Sequence, residues 1–172
     1  QNVIGGVEPA ARNIISAGSD HGILIYESAA GNVLHGNLIG TDITGTFALG
    51  NADSGIHLEE GAADNIIGGT GAGEANTIAF NGEGVFLDST AGSGNSIRGN
   101  SIYANGEPGI DFAPAGGTEN DALDGDTGPN GLQNFPSLTS ALVNGAADEI
   151  TIDGQLEARP NTDFAIDVYY ED

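Results

Sequence analysis

The chain has 172 residues, enough for one domain or for one domain and the start of a second. It contains 29 glycines and has a net charge of −22. It has no cysteine, which excludes a disulfide framework, a zinc–thiolate site and a cysteine redox centre. Three arginines without a lysine cannot neutralise a phosphate backbone, so we expect no nucleic-acid partner. We also expect no membrane insertion, because no apolar run approaches the roughly 20 residues that span a bilayer.

The hydrophobic content alone leaves a disordered acidic chain open. Leu, Ile, Val and Phe supply 40 residues, or 23% of the chain. That lies just above the roughly 20% at which high net charge usually means disorder. The excess of acidic residues favours an extracellular or salt-adapted setting, where negative charge keeps the surface hydrated.

Three short motifs recur in a fixed order from the N-terminus. The first begins at Asn2, Asn32, Asn65 and Asn95, the second at Asn13, Asn37, Asn76 and Asn100, and the third at Gly22, Gly55, Gly84 and Gly109. Each motif alternates with period 2 between turn residues, which predicts a short strand. Three strands per cycle over four cycles predict an all-β fold, a parallel β-helix of about four three-strand coils over residues 1–113.

The aliphatic residues of these motifs define predicted core columns. The first two columns are Ile4, Leu34, Ile67, Ile97 and Ile15, Ile39, Ile78, Ile102; the third sheet adds Ile23, Ile56, Val85, Ile110 and Ile25, Leu58, Leu87, Phe112. A disordered chain has no reason to keep such columns, so the disorder interpretation fails. The asparagines that begin the first two motifs are predicted to bond to one another and to turn backbone, which is a structural role.

The motif wording resembles that of a known family. The stretch that begins Asn65-Ile-Ile-Gly-Gly-Thr-Gly-Ala-Gly, together with Gly94-Asn-Ser-Ile-Arg-Gly-Asn-Ser-Ile-Tyr, is similar to right-handed parallel β-helix repeat proteins of the pectin-lyase-like group. These include large secreted or surface-anchored bacterial proteins. The stretch 128–138 resembles the phrase that ends the helix in such proteins. The resemblance covers residues 1–140. It implies the fold but does not specify a function, because the group includes enzymes, adhesins and structural proteins.

The columns stop after Phe112. Residues 114–137 are predicted to form an acidic loop rich in Gly, Pro and Asn, and residues 138–172 a β-strand segment that is either a partial sandwich or a set of capping or assembly strands. Alternation predicts strands over 149–157 and 163–170 joined as a hairpin through Arg159-Pro-Asn-Thr, with Leu138–Val143 as a third strand. The alternation predicts one buried face on this segment.

Both ends of the predicted solenoid lack a covering element. A bare solenoid end exposes strand edges and a section of apolar core. Two explanations remain open: flanking domains of a longer chain, or head-to-tail stacking of subunits into a filament. The start at Gln1 without a signal peptide fits either a mature secreted chain or a fragment.

Candidate carbohydrate contacts lie along the third predicted sheet. They are Tyr26, His57, Glu59, Phe86, Asp88 and Asp111. Neighbouring coils lie about 4.8 Å apart, so Glu59 and Asp88 would be close enough to form a pair of catalytic carboxylates. These acids alternate with Gly and Ser turns, as solvated acids do, and no lysine is available as a base, so we expect no catalytic residues. The three histidines lack metal-ligand spacing and are interpreted as exposed polar residues.

A calcium site is predicted in the acidic loop, where Asn120, Asp121, Asp124 and Asp126 fall within seven residues beside glycines. Hard cations take several carboxylate and carbonyl oxygens from such loops.

Taken together, the stacked columns, the acidic composition and the uncovered ends favour a non-catalytic extracellular structural or adhesive module. The alternative is a polysaccharide-binding or polysaccharide-degrading β-helix protein, with Phe86 and Tyr26 as sugar platforms.

Overall fold

The computed structural model describes residues 1–145 and 149–168. Two compact units are distinguished: one comprises Gln1–Thr118, Gly128–Asn130 and Ile166–Asp172, and the other Glu119–Thr127 and Gly131–Ala165. Tyr169 and Tyr170, which the alternation assigns to the last strand, lie outside the described residues.

The first unit contains four coils of three short strands each. They are β1 (Val3–Gly5), β2 (Ile14–Ile15), β3 (Ile23–Ile25); β4 (Val33–His35), β5 (Leu38–Ile39), β6 (Ile56–Leu58); β7 (Ile66–Gly68), β8 (Thr77–Ala79), β9 (Val85–Leu87); and β10 (Ser96–Arg98), β11 (Ser101–Tyr103), β12 (Ile110–Phe112). The first sheet has the order β1-β4-β7-β10, the second β2-β5-β8-β11 and the third β3-β6-β9-β12. Every neighbouring pair in them is parallel. The predicted parallel β-helix is confirmed.

The strand register confirms the predicted core columns. Ile4 pairs with Leu34, and Leu34 with Ile67, in the first sheet. The corresponding columns of the second and third sheets are likewise in register. In the two central coils these side chains are fully buried, whereas Ile110 in the fourth coil is 43% exposed because no further coil covers it among the described residues.

The two predicted asparagine columns are hydrogen-bonded ladders. Asn76, for example, accepts at Oδ1 from the Nδ2 of Asn37 at 2.9 Å and donates from its own Nδ2 to the Oδ1 of Asn100 at 2.9 Å. Its Nδ2 also donates to the carbonyl of Leu34 at 2.8 Å. Each buried amide therefore bonds to the coils on both sides, which satisfies polar groups that the turns would otherwise leave unpaired.

A third ladder was not predicted from the sequence. Asn51, Asn81 and Asn105 stack at the turn before the third sheet, with Nδ2–Oδ1 distances of 2.8 and 3.2 Å. In the first coil the corresponding position is Gly18, whose backbone N–H donates to Asn51 Oδ1 at 3.0 Å. The signal was present as an Asn three or four residues before each third-motif glycine from the second coil onward.

The ladders explain why some glycines are needed. Gly68 ends β7 with φ +77°, in the left-handed region that favours glycine. A Cβ at this position would collide with the carbonyl oxygen of Arg98 and the side-chain oxygen of Asn100, which belong to the next coil. The close approach of the ladder amide therefore requires the absence of a side chain.

Insertions between strands lie on the outside of the coils. A 3₁₀ turn (Pro9–Ala11) occupies the insertion of the first coil. The excursion from Gly40 to Gly50 is closed by a bridge between Thr41 and Ala48. Its tip exposes Ile43 and Phe47, at 73% and 70%.

After the fourth coil, a 3₁₀ turn (Pro129–Leu132) interrupts the predicted loop. Its Asn130 continues the first asparagine column: it accepts at Oδ1 from the backbone N–H of Asn95 at 2.9 Å and donates from Nδ2 to the Asn95 carbonyl at 2.7 Å. The first asparagine column therefore continues one position beyond the fourth coil. Arg98 in β10 donates from Nε to the carboxylate of Asp167 at 3.1 Å.

The second unit contains an antiparallel hairpin of β13 (Ser137–Asn144) and β14 (Glu149–Gln155). The expected third strand is therefore confirmed, but the predicted hairpin between 149–157 and 163–170 is wrong. Residues 163–168 form no strand, and β14 pairs with the strand that precedes it through the shorter connection. The expected buried face is also wrong, since Ile150 is 54% exposed.

Candidate functional site

The third sheet presents a row of side chains on its outer face. Leu24, His57, Phe86 and Asp111 are register partners on successive coils. The rings of His57 and Phe86 lie 5.3 Å apart. Parallel stacking in register thus brings part of the predicted carbohydrate surface together.

The acids of this surface have different environments. Asp111 is only 4% exposed, and its carboxylate accepts from the backbone N–H groups of Phe112 at 3.0 Å and Gly116 at 2.8 Å. Asp88 is turned toward its own loop, where its Oδ1 accepts from the backbone N–H of Thr90 at 2.9 Å. The backbone and hydroxyl hydrogen bonds from Thr90 lower the pKa of Asp88 below its ordinary value. Both carboxylates therefore stabilise nearby turns of the backbone through hydrogen bonds.

Glu59 and Tyr26 complete the predicted set. Glu59 follows β6, and its Oε2 lies 3.7 Å from His57 Nε2. Tyr26 follows β3 and is 45% exposed. The structure therefore brings His57, Glu59 and Phe86 together, holds Asp88 and Asp111 in their own turns, and leaves Tyr26 exposed at the end of β3.

None of the three histidines is exposed, which corrects the sequence interpretation. The side chains of His21 and His57 are only 17% and 12% exposed, and their rings lie 4.2 Å apart. The physical reason is the register, which stacks a turn residue of one coil against an outward residue of the next. Burial lowers the pKa of His57 below its ordinary value, and the nearby His21 lowers it further.

His21 also lies between two carboxylates. Its Nε2 is 3.5 Å from Asp20 Oδ1 and its Nδ1 is 3.9 Å from Asp53 Oδ2. One ligand atom from each of the three residues falls within 4.8 Å of the others. A backbone hydrogen bond links the two turns: the N–H of Asp53 donates to the carbonyl oxygen of Asp20 at 3.5 Å.

The acidic loop brings three of its four predicted metal ligands together. Ligand oxygens of Asp121, Asp124 and Asp126 lie within 4.8 Å of one another. Asn120 is engaged elsewhere: its Nδ2 donates to the Phe135 carbonyl at 2.8 Å and its Oδ1 accepts from the Phe135 N–H at 2.9 Å. Arg159 Nε lies 3.3 Å from Asp124 Oδ2, so one carboxylate of the cluster already forms an ion pair with an arginine side chain.

Comparison of the chain with protein-family models, with curated proteins and with solved structures finds no match. Within the described part of the chain, no helix has the length and apolar character needed to cross a membrane.

Proposed function

We propose that the chain is a non-catalytic structural or adhesive β-helix module that acts outside the cell, with the architecture of the pectin-lyase-like group. The observation that carries this proposal is that the recurring polar side chains make hydrogen bonds within the fold. The asparagine ladders bond coil to coil, and Asp88 and Asp111 bond to their own turns. These groups stabilise the coil, which supports a scaffold role.

A polysaccharide turnover assay tests the non-catalytic part. The purified chain is incubated with acidic polysaccharides, and reducing ends and unsaturated products are measured. We expect no product above the level of a boiled sample. Turnover that Glu59→Gln abolishes and the neighbouring exposed Glu60→Gln leaves unchanged would show instead that the third sheet is catalytic.

The proposed mode of assembly is head-to-tail association with a second copy. In the fourth coil, β10, β11 and β12 each stand at the end of their sheet. A cavity of about 240 Å³ opens there between Ile97, Ile102 and Ile110. Asn130 covers part of the first sheet at this end, so the second- and third-sheet edges are the part that a neighbouring coil would extend.

Sedimentation velocity over a wide concentration range, with electron microscopy of concentrated protein, tests the assembly. We expect species larger than the monomer, and fibres at high concentration. Ile110→Asp should abolish them, because it places a charge in the apolar section, whereas Ile43→Asp at the exposed excursion should not. A monomer at every concentration contradicts self-association and favours flanking domains as the covering element.

The alternative function is carbohydrate binding along the third sheet. The contact between His57 and Phe86 supports it, together with the exposed Tyr26, which follows β3 of the same sheet. Aromatic faces with polar neighbours suit sugar rings. NMR titration with oligosaccharides tests it: shifts confined to His57, Phe86 and Tyr26 would support this alternative, and unchanged spectra would remove it.

We further propose that the acidic loop binds calcium through Asp121, Asp124 and Asp126. A buried oxygen of Asp126, Oδ1, has no hydrogen-bond partner, and hard cations prefer several carboxylate oxygens. Because Arg159 already pairs with Asp124, Arg159→Gln should strengthen binding. Calorimetric titration with CaCl₂ tests this; no heat and no gain in melting temperature at millimolar calcium would contradict it.

A further inference from the structure

The turns before β3 and β6 hold a second cluster of metal-ligand residues, unrelated to the acidic loop. It consists of Asp20, His21 and Asp53, on two successive coils. The two acids are largely exposed, at 78% and 56% of their side chains, while the imidazole between them is 17% exposed. A mostly buried imidazole thus sits just before β3, with two exposed carboxylates at its edges.

The His21 ring has a free coordination position. Its Nδ1 is buried and has no hydrogen-bond partner. An unpaired buried nitrogen is costly unless something binds it. Asp53 Oδ2 lies 3.9 Å from this nitrogen, beyond hydrogen-bond length but within the span that one metal ion bridges.

The three ligand atoms lie close enough to converge on a small metal ion. Zinc bonds of about 2.0–2.2 Å to nitrogen and oxygen place two tetrahedral ligand atoms about 3.4 Å apart. One ligand atom from each of the three residues lies within 4.8 Å of the others, and rotation of the two exposed carboxylates can bring their oxygens to the tetrahedral separation from Nδ1. The His57 ring, 4.2 Å from His21, packs against the imidazole and fixes its plane.

We propose that Asp20, His21 and Asp53 bind one divalent transition-metal ion of the zinc type, with remaining positions open to water or an external ligand. An imidazole with two carboxylates favours zinc over calcium, because calcium takes oxygen ligands almost entirely. The site lies at the entrance to the third sheet. It does not depend on the structural function proposed above.

NMR of the imidazole groups during titration with ZnCl₂ tests the proposal, since the chain has only three histidines. We expect a saturable one-to-one change at the His21 nitrogens and none at His35. Calorimetry should give the same stoichiometry. Absence of saturable binding, or a response at His35 equal to that at His21, would overturn the proposal.

Variants locate the ligands. Asp53→Asn and His21→Ala should each weaken zinc binding by more than about tenfold. Asp53→Asn keeps an oxygen that can accept from the Ser54 N–H, so it should preserve the fold, and the melting temperature without metal checks this. His35→Ala is the matched control, because His35 also has a buried unpartnered nitrogen, and Asp121→Asn is the control for the acidic loop. Zinc affinity that falls only in Asp121→Asn contradicts the assignment.

Discussion

At the scale of single residues, the buried asparagine amides carry the strongest local requirement. A side-chain amide offers two donors and one acceptor, and Asn76 uses them on Leu34, Asn37 and Asn100. No other side chain of this size supplies donors and an acceptor without a charge. An aspartate would bury a negative charge among acceptors.

The first prediction concerns Asn76→Ala. The substitution removes the buried side-chain hydrogen bonds to Leu34, Asn37 and Asn100, so the free energy of unfolding should fall by at least about 2 kcal/mol. Asn13→Ala, at the exposed end of the same column, should cost less than about 1 kcal/mol, because it loses one bond, to Asn37. Denaturant unfolding of both variants measures the difference. Equal costs would contradict a structural role for the buried ladder.

A second prediction concerns the pKa of Asp88. This pKa is lowered first by the hydrogen bond from the backbone N–H of Thr90 and second by the hydrogen bond from the Thr90 hydroxyl. Thr90→Val removes the second of these, so it should raise the pKa part of the way toward the ordinary value. Ser89→Ala should change it less, because the Ser89 contact is longer, at 3.4 Å. A lowered carboxyl pKa stabilises the fold above the unfolded value of about 3.9, and this is lost as the pH falls through the folded pKa. NMR titration of the carboxyl carbons checks the order; no change in Thr90→Val contradicts the assigned cause.

At the scale of the elements, short strands of two or three residues are stable only because each pairs with its counterpart on the next coil. The third sheet makes the dependence visible. Leu87 in β9 is fully buried between coils, whereas Ile110 in β12 is 43% exposed at the end of the stack. Position along the stack, more than residue type, sets how much each aliphatic side chain contributes.

The third prediction follows from this gradient. Leu87→Ala should lower the free energy of unfolding by about 2–5 kcal/mol, because it leaves a cavity between two coils. Ile110→Ala should cost less than about 1.5 kcal/mol, since its site is already open to solvent. Thermal and denaturant unfolding measure both. A larger cost at Ile110 would mean that something covers the fourth coil in solution.

The sequence was sufficient for the elements that repeat with constant wording. Ile4, Leu34 and Ile67 keep one spacing from their asparagines, so their column could be predicted. The ladder through Asn51, Asn81 and Asn105 was missed because its distance to the following glycine varies and Gly18 replaces the asparagine in the first coil. Alternation identified β14 but could not choose its partner, because both neighbouring segments alternate.

The candidate site was predictable in the same partial way. His57, Phe86 and Asp111 were assigned to one row because they occupy one position of the third motif. The contact between His21 and His57 could not be predicted, since it joins different motif positions on different coils. The turn bonds of Asp88 and Asp111 likewise depend on local backbone conformation, which composition does not specify.

At the scale of the whole molecule, net charge opposes folding. The −22 charge is carried by a chain with few basic residues to pair with it. Like charges repel over a distance that salt shortens, from about 30 Å at 0.01 M to about 3 Å at 1 M ionic strength. The core columns and ladders must therefore hold the coils together against this repulsion.

The fourth prediction is that stability rises with ionic strength. The melting temperature should increase when NaCl is raised from low to molar concentration, because screening weakens the repulsion between acids. Potassium chloride at equal ionic strength should give the same gain, which separates screening from specific ion binding. A melting temperature that falls or stays constant would show that the acids are already compensated within the fold.

Taken over the whole chain, the central claim is that the repeated polar residues build the coils and serve no ligand. Hydrogen exchange of the ladder amides, followed by NMR with and without acidic polysaccharide, tests it most directly. The account predicts that Asn65, Asn76 and Asn81 exchange only on global unfolding, far more slowly than Asn13, and that polysaccharide leaves their signals unchanged. Ladder amides that exchange as fast as Asn13, or that shift on adding polysaccharide, would contradict it.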